Sequence, residues 1–164
     1  MTSALPRDLG RPARRMFLGL AALALAGTAA ELAIGRHWKT LIQEIPWLGI
    51  GLATIALLLL LVRPSRGRVW LARLLAAGVI VVAGVGVWEH VAANYDAGTL
   101  DFRYADTWAS MSWFSRWRIA ATGGVGPSPV LAPGILAQAA LCLLAATFRH
   151  PALRVSPDEP RAAT

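Results

Sequence analysis

A chain of 164 residues that is 56% hydrophobic, only 15% charged and has a mean hydropathy of +0.53 lies outside the range of water-soluble globular domains. Its formal net charge of +7 would suit nucleic acid if the basic residues formed one patch among polar neighbours, but they stand in short clusters between apolar runs, which fits anchors beside anionic lipid and excludes a nucleic-acid partner. The single cysteine, Cys142, excludes an intramolecular disulfide, a thiolate zinc cluster and dithiol exchange within one chain.

Residues 1–15, with Arg7, Arg11, Arg14 and Arg15 around Pro6 and Pro12, cannot bury apolar area and read as a mobile basic cytoplasmic arm. A first span is predicted over 16–34. Its start, Arg14-Arg15-Met16-Phe17-Leu18, resembles a twin-arginine export signal, and Ala24-Leu25-Ala26 resembles a small-x-small cleavage site. Everything downstream is again hydrophobic, so a retained signal-anchor helix is the preferred reading. Residues 35–47, with Trp38 and Trp47 near the edges, read as a short outer loop, and Pro46 is expected in the first turn of the next helix.

Span two is predicted over 48–62 and stops at Arg63-Pro64, where proline ends the helix and arginine reaches toward water. The connection Ser65-Arg66-Gly67-Arg68 is tight enough to force an antiparallel return. Span three, over 69–93, is the longest apolar run. About 20 residues at 1.5 Å each cross a hydrocarbon core of about 30 Å, and Leu74 to Trp88 carries no charge. Ala72, Ala76, Gly78, Gly84 and Gly86 on span three and Ala22, Ala26 and Ala30 on span one offer small faces, which predicts a contact between those spans.

Residues 94–129 form the long outer loop, in which Asp96, Asp101 and Asp106 accompany Trp108, Trp113, Phe114 and Trp117. No single amphipathic face emerges, so a short helix at headgroup level is expected, with Trp108, Trp113 and Trp117 as the contact surface for lipid or a partner. Span four is predicted over 130–148 with Pro133 in its first turn. Arg149-His150-Pro151 closes it, and 149–164 reads as a disordered cytoplasmic tail.

The predicted fold is therefore an all-α integral membrane protein whose domain, 16–148, is an antiparallel bundle of four transmembrane helices with one long outer loop containing a short interfacial helix. Eleven of the sixteen basic residues fall on the side of the N-terminus. By the positive-inside tendency both termini are cytoplasmic, in a multi-pass protein of a bacterial-type cytoplasmic (inner) membrane.

Candidate chemistry gathers near the outer ends of the spans. Glu31 lies seven residues, roughly 10 Å, before Trp38, where a carboxylate must turn inward, pair or stay protonated. Gln138 lies eight residues into span four at a comparable expected depth. Glu31, Gln138 and Arg36 are therefore expected to form a polar intramembrane cluster with a Glu31–Gln138 hydrogen bond.

His37, Glu89 and His90 supply nitrogen and oxygen ligands suited to a divalent metal, and His37 with His90 supplies the pair needed for haem. The spacing is weak: no H-x-x-x-H or E-x-x-H pattern occurs, and adjacent Glu89 and His90 point about 100° apart on a helix. The plainer reading is that these groups pair with one another and with headgroups. Gly123-Gly124-Val125-Gly126 lacks the lysine and the strand-to-helix context of a phosphate loop.

These features favour an accessory or assembly subunit of a larger membrane complex over an enzyme. Its expected partners are the bilayer and other membrane-protein subunits or a homo-oligomer. The alternative is a small ion-, metal- or proton-coupled carrier that uses the outer Glu/His cluster.

Overall fold

The computed structural model describes residues 10–154, and among them only helices and turns occur. Five α-helices follow in order: α1 (Arg11–Ile34), α2 (Leu41–Leu61), α3 (Arg66–Ala97), α4 (Trp113–Ala121) and α5 (Gly134–Ala146). Short 3-10 turns cover Gly98–Leu100, Trp108–Ser110 and Pro151–Leu153.

α1, α2 and α3 are long and apolar enough to cross a membrane, and only 17%, 22% and 28% of their most apolar windows are buried inside the chain. Most of that apolar surface is left for an outside medium to cover. α5, with 13 residues, is only about 20 Å long.

The starts of α2 and α3 are set by capping side chains rather than by the edge of the apolar run, whereas α1 has no side-chain cap. α1 begins at Arg11, inside the segment expected to be a mobile arm. Pro12 fits the first turn, where its missing N–H is no loss, and Arg14 Nε donates to the Ala146 carbonyl at 2.9 Å. Residues 1–9 of that arm, and the tail from 155 onward, lie outside the described residues.

α2 begins seven residues before the expected boundary. Thr40 Oγ1 accepts from the Gln43 N–H at 3.4 Å, while Gln43 Oε1 accepts from the Lys39 N–H at 2.8 Å, a reciprocal arrangement akin to a capping box. Pro46 consequently sits within the helix instead of in its first turn. Ser65 Oγ caps α3 by accepting from Arg68 N–H at 3.4 Å, so α3 starts at Arg66 and reaches Ala97. At 32 residues it is about 48 Å long, some 18 Å more than a hydrocarbon core.

Packing follows a three-four alternation. α3 buries Val69, Ala72, Ala76, Val79 and Ala83; α2 buries Gly49, Ala53, Ala56 and Leu60; α1 buries Leu18, Ala21 and Leu25. α5 buries Leu136, Ala139, Ala140, Leu143 and Ala146 and packs on both α1 and α3. It thus occupies the place expected for the contact between spans one and three, and Ala22, Ala26 and Ala30 stay exposed. Three buried alanines on α5 let both neighbours approach closely. A Cβ at Gly49 would meet Leu136 Cδ2 at 2.7 Å, so α2 also comes near α5 there.

The two ends of this bundle differ in charge. Arg14 holds the Ala146 carbonyl, and Arg73 donates to Thr147 Oγ1 at 3.0 Å and to the Thr147 carbonyl at 2.9 Å. The starts of α1 and α3 therefore meet the end of α5. Two guanidinium groups satisfy carbonyls left open by helix termination and oppose the negative end of its dipole. No carboxylate among the described residues lies at this basic end; Glu31, Glu44, Glu89, Asp96, Asp101 and Asp106 all lie toward the other, acidic end.

Candidate functional site

The acidic end carries the most elaborate construction. The last turns of α3 stand beside the chain that returns through residues 98–133, and Asn94 joins the two. Its side chain is fully buried: Nδ2 donates to the Ser128 carbonyl at 2.9 Å and the Ala120 carbonyl at 3.4 Å, while Oδ1 accepts from the Ser128 N–H at 2.9 Å. A buried amide with both ends satisfied closes a connection of 34 residues. Gly126, at φ 74°, leaves room for it, since a Cβ there would collide with Asn94.

Around that node lies a second apolar core of Val91, Trp108, Ile119, Ala120 and Val125. Trp108 is only 2% exposed and lies against Gly98, where any Cβ would strike its indole. Tyr95 touches the Trp108 ring edge-on at 5.7 Å and stacks on Trp117 at 4.6 Å, and Trp117 stacks in turn on Trp88 at 5.0 Å. Each such ring pair adds about 0.5–1.5 kcal/mol beyond its buried area. The Arg116 guanidinium lies 5.5 Å over the Tyr95 ring, which offers its buried, otherwise unbonded Nε an electrostatic partner.

The loop is pinned a second time by Arg103. Its Nε and Nη2 grip Asp101 at 2.9 and 2.7 Å, and Nη2 also reaches the Gly124 carbonyl at 2.6 Å. These bonds hold the Asp101 carboxyl at a pKa of about 2, below its ordinary 3.8. Ser112 caps α4 by accepting from Ser115 N–H at 3.2 Å, and Gly123, at φ 69°, ends that helix with Gly124 N–H returning to the Ile119 carbonyl. On this scaffold Trp88, Trp113 and Phe114 remain 57%, 65% and 69% exposed.

The residues singled out from the sequence are distributed differently from expectation. Glu31 and Gln138 are both exposed, and no hydrogen bond joins them. The Arg14–Ala146 bond sets the register of α1 against α5: Glu31 is 17 residues above it, about 25 Å, whereas Gln138 is eight residues, about 12 Å. The expected pairing fails because α5 is short and anchored at its lower end. Arg36 is exposed and serves α1 by taking φ 49°, the position usually held by glycine. Its N–H bonds the Ala33 carbonyl and the His37 N–H bonds that of Leu32.

His37 thus belongs to the α1–α2 turn, where its carbonyl accepts from Trp47 Nε1 at 2.7 Å. Trp38 and Trp47 meet there at 6.2 Å beside an open hollow of about 670 Å3 lined also by Leu41, Glu44, Ile45 and Leu48. His90 is one helical turn from Gly86, whose Cβ would sit 3.0 Å from Pro133, and one turn from Asn94. Its Nδ1 is buried with no hydrogen-bond partner, and Glu89 is half-buried on a different face of α3. Among the described residues no group of three or more His, Cys, Asp or Glu side chains is placed to hold a metal ion, so His37, Glu89 and His90 do not form the expected triad.

Of the three tryptophans expected at an interface, Trp113 is presented outward and Trp117 partly so, but Trp108 is internal. It is drawn in because it fills the space beside Gly98. Asn94, Arg103, Gly98 and Gly126, which organise this end, were not singled out by sequence reasoning; an asparagine directly after a predicted span and a glycine before Pro127 were the available signals. Compared with protein-family models, curated proteins and solved structures, the chain matches none.

Proposed function

We propose that the chain is a multi-pass protein of a bacterial-type cytoplasmic membrane in which α1, α2, α3 and α5 span the bilayer, and that it acts as an accessory or assembly subunit of a larger membrane complex. The basic end faces the cytoplasm with both termini, by the positive-inside tendency. α4 lies at headgroup level on the opposite side. The bonds from Asn94 to Ser128 and from Arg103 to Gly124 fix this end.

The observation that carries the function is a preorganised layer that nonetheless leaves Trp88, Trp113 and Phe114 open. Rigid exposed aromatics lose little conformational entropy on contact, which makes them effective anchors for a partner subunit. Purification of the full chain in mild detergent is expected to recover a larger membrane protein in fixed ratio. Trp113→Ala with Phe114→Ala releases that protein while this chain stays folded. Recovery of this chain alone from native membranes, in any oligomeric state, overturns the proposal.

A second reading, a small ion- or proton-coupled carrier, draws on the buried and unbonded His90 Nδ1 beside Glu89. It requires flux in vesicles that is abolished by His90→Ala or Glu31→Gln, and unchanged flux in both variants removes it.

A further inference from the structure

The outward face of α5 presents Gly134, Gln138 and Leu141, a line continued by the half-buried Ala145 and, just past the helix end, by Phe148, spaced four, three, four and three residues apart. The same alternation marks the positions that α3 buries inward, from Val69 to Ala83. Here, however, the chain covers only the edge of it, at Ala145: Leu141 and Phe148 are 57% and 53% exposed, and a Cβ at Gly134 would meet open space. α5 is thus a two-sided helix, with one seam closed by α1 and α3 and another left open.

Gln138 lies in the middle of the open seam. It is exposed and makes no hydrogen bond within the chain. Counted from the Ala146 carbonyl, which Arg14 holds at the basic end, it is about 12 Å along the helix, close to the midplane of a core about 30 Å thick. A carboxamide at that depth facing hydrocarbon leaves two donors and an acceptor unsatisfied. Thr54, also exposed on α2 and also without a hydrogen bond within the chain, carries a single hydroxyl that can turn back to a carbonyl of its own helix, as Thr28 does to the Ala24 carbonyl at 2.9 Å. A carboxamide in mid-helix carries more donors and acceptors than such a turn can satisfy.

We propose that two copies of this chain pair through the open face of α5, with the Gln138 carboxamides of the two copies hydrogen-bonding each other across a two-fold axis. The occupant is a second copy because the carboxamide carries donor and acceptor together, so it is electrostatically complementary to its own image. An isologous contact places the two images opposite each other. No residue of Gly134–Ala146 carries a charge that would oppose this approach, and Gly134 and Ala145 flank the glutamine with the small surfaces that let helices come close. One polar residue in an apolar seam also fixes register, since any slip leaves both amides unpaired. The inference rests on the reading of α5 as a span and is separate from the aromatic partner surface at the other end.

The test uses the full chain in native membranes with Cys142→Ala as background. Single cysteines are placed on the open seam as Leu141→Cys and Ala145→Cys, and on another exposed face as Leu58→Cys. Oxidation is expected to join copies at 141 and 145 and not at 58. Adding Gln138→Leu weakens dimerisation in bilayers about tenfold, while Gln138→Asn retains most of it.

Equal joining at 58 and 141, no joining at the seam in chains still found in the membrane fraction, or joining of the seam cysteines to a different protein would each overturn the pairing and leave the membrane reading intact. Recovery of the chain in the soluble fraction overturns both.

Discussion

The two ends of the bundle are held by opposite means. At the basic end, Arg14 from the first turn of α1 and Arg73 from two turns into α3 reach the end of a third helix, where they satisfy the Ala146 and Thr147 carbonyls that helix termination leaves open and Arg73 also holds the Thr147 hydroxyl. At the acidic end, Asn94 and Arg103 tie together segments that have no regular partner, and stacked rings fill the space between them. The first end is closed by helix geometry with charge added. The second is closed by side chains that bond irregular backbone, so single substitutions should open it more completely.

The sharpest way to break the contrast is Asn94→Leu. It leaves the Ser128 N–H and the Ser128 carbonyl without partners beside a buried core, while the Ala120 carbonyl keeps the Gly123 N–H at 3.2 Å, and a loss of about 3 kcal/mol is expected. Limited proteolysis in detergent should then cut within 98–130 while α1 and α2 stay intact; uniform protection would show that the acidic end does not depend on this amide.

Arg73→Leu comes next, at about 2 kcal/mol, because a charged donor to Thr147 is lost. Hydrogen exchange should quicken in the last turn of α5 and leave the acidic end unchanged. Arg73→Lys should restore only part of the protection, since an ammonium cannot form both bonds in the plane of a guanidinium.

Acid should separate the ends in order. His150 is buried beside Arg14 and Arg73, and burial first, then those two charges, lower its pKa below the ordinary 6.5. The folded state therefore prefers the neutral ring. Stability from this end is complete above 6.5 and falls as pH drops through 6.5 toward the lowered folded value.

Protonation also removes the lone pair through which His150 Nδ1 accepts from the Ala152 N–H. Asp101 behaves in the other range: its depressed pKa contributes stability above the ordinary carboxylate value, and that contribution is lost as pH falls from about 4 to about 2. Exchange at Ala152 should rise first and at Gly124 much later; the reverse order would contradict the assignment. The smallest effect belongs to Trp113→Ala, which should change stability by less than about 0.5 kcal/mol because the ring is mostly exposed.

Much of the helical plan was legible because apolar runs are long and proline, serine and arginine mark their ends. The starts were not, and for a readable reason. Thr40-Leu41-Ile42-Gln43 and Ser65-Arg66-Gly67-Arg68 carry capping side chains, but hydropathy weighs them as loop. The candidate cluster of Glu31, Gln138, His37, Glu89 and His90 was inferred by counting residues from assumed span ends. The Arg14–Ala146 bond, which sets the actual register, joins residues 132 apart in sequence. Asn94, Ser128 and Gly126 escaped for the same reason: a closure over 34 residues leaves no periodic trace.

The account's central claim is that hydrocarbon covers the faces of α1, α2, α3 and α5 and that the two ends lie on opposite sides of the membrane. Single cysteines at Phe102 and at Ser65, in the Cys142→Ala background, test it directly with a thiol reagent that cannot cross membranes. The account predicts that 102 is labelled in intact spheroplasts and 65 only after lysis. Labelling of both before lysis, the opposite order, or a chain recovered without detergent would contradict it.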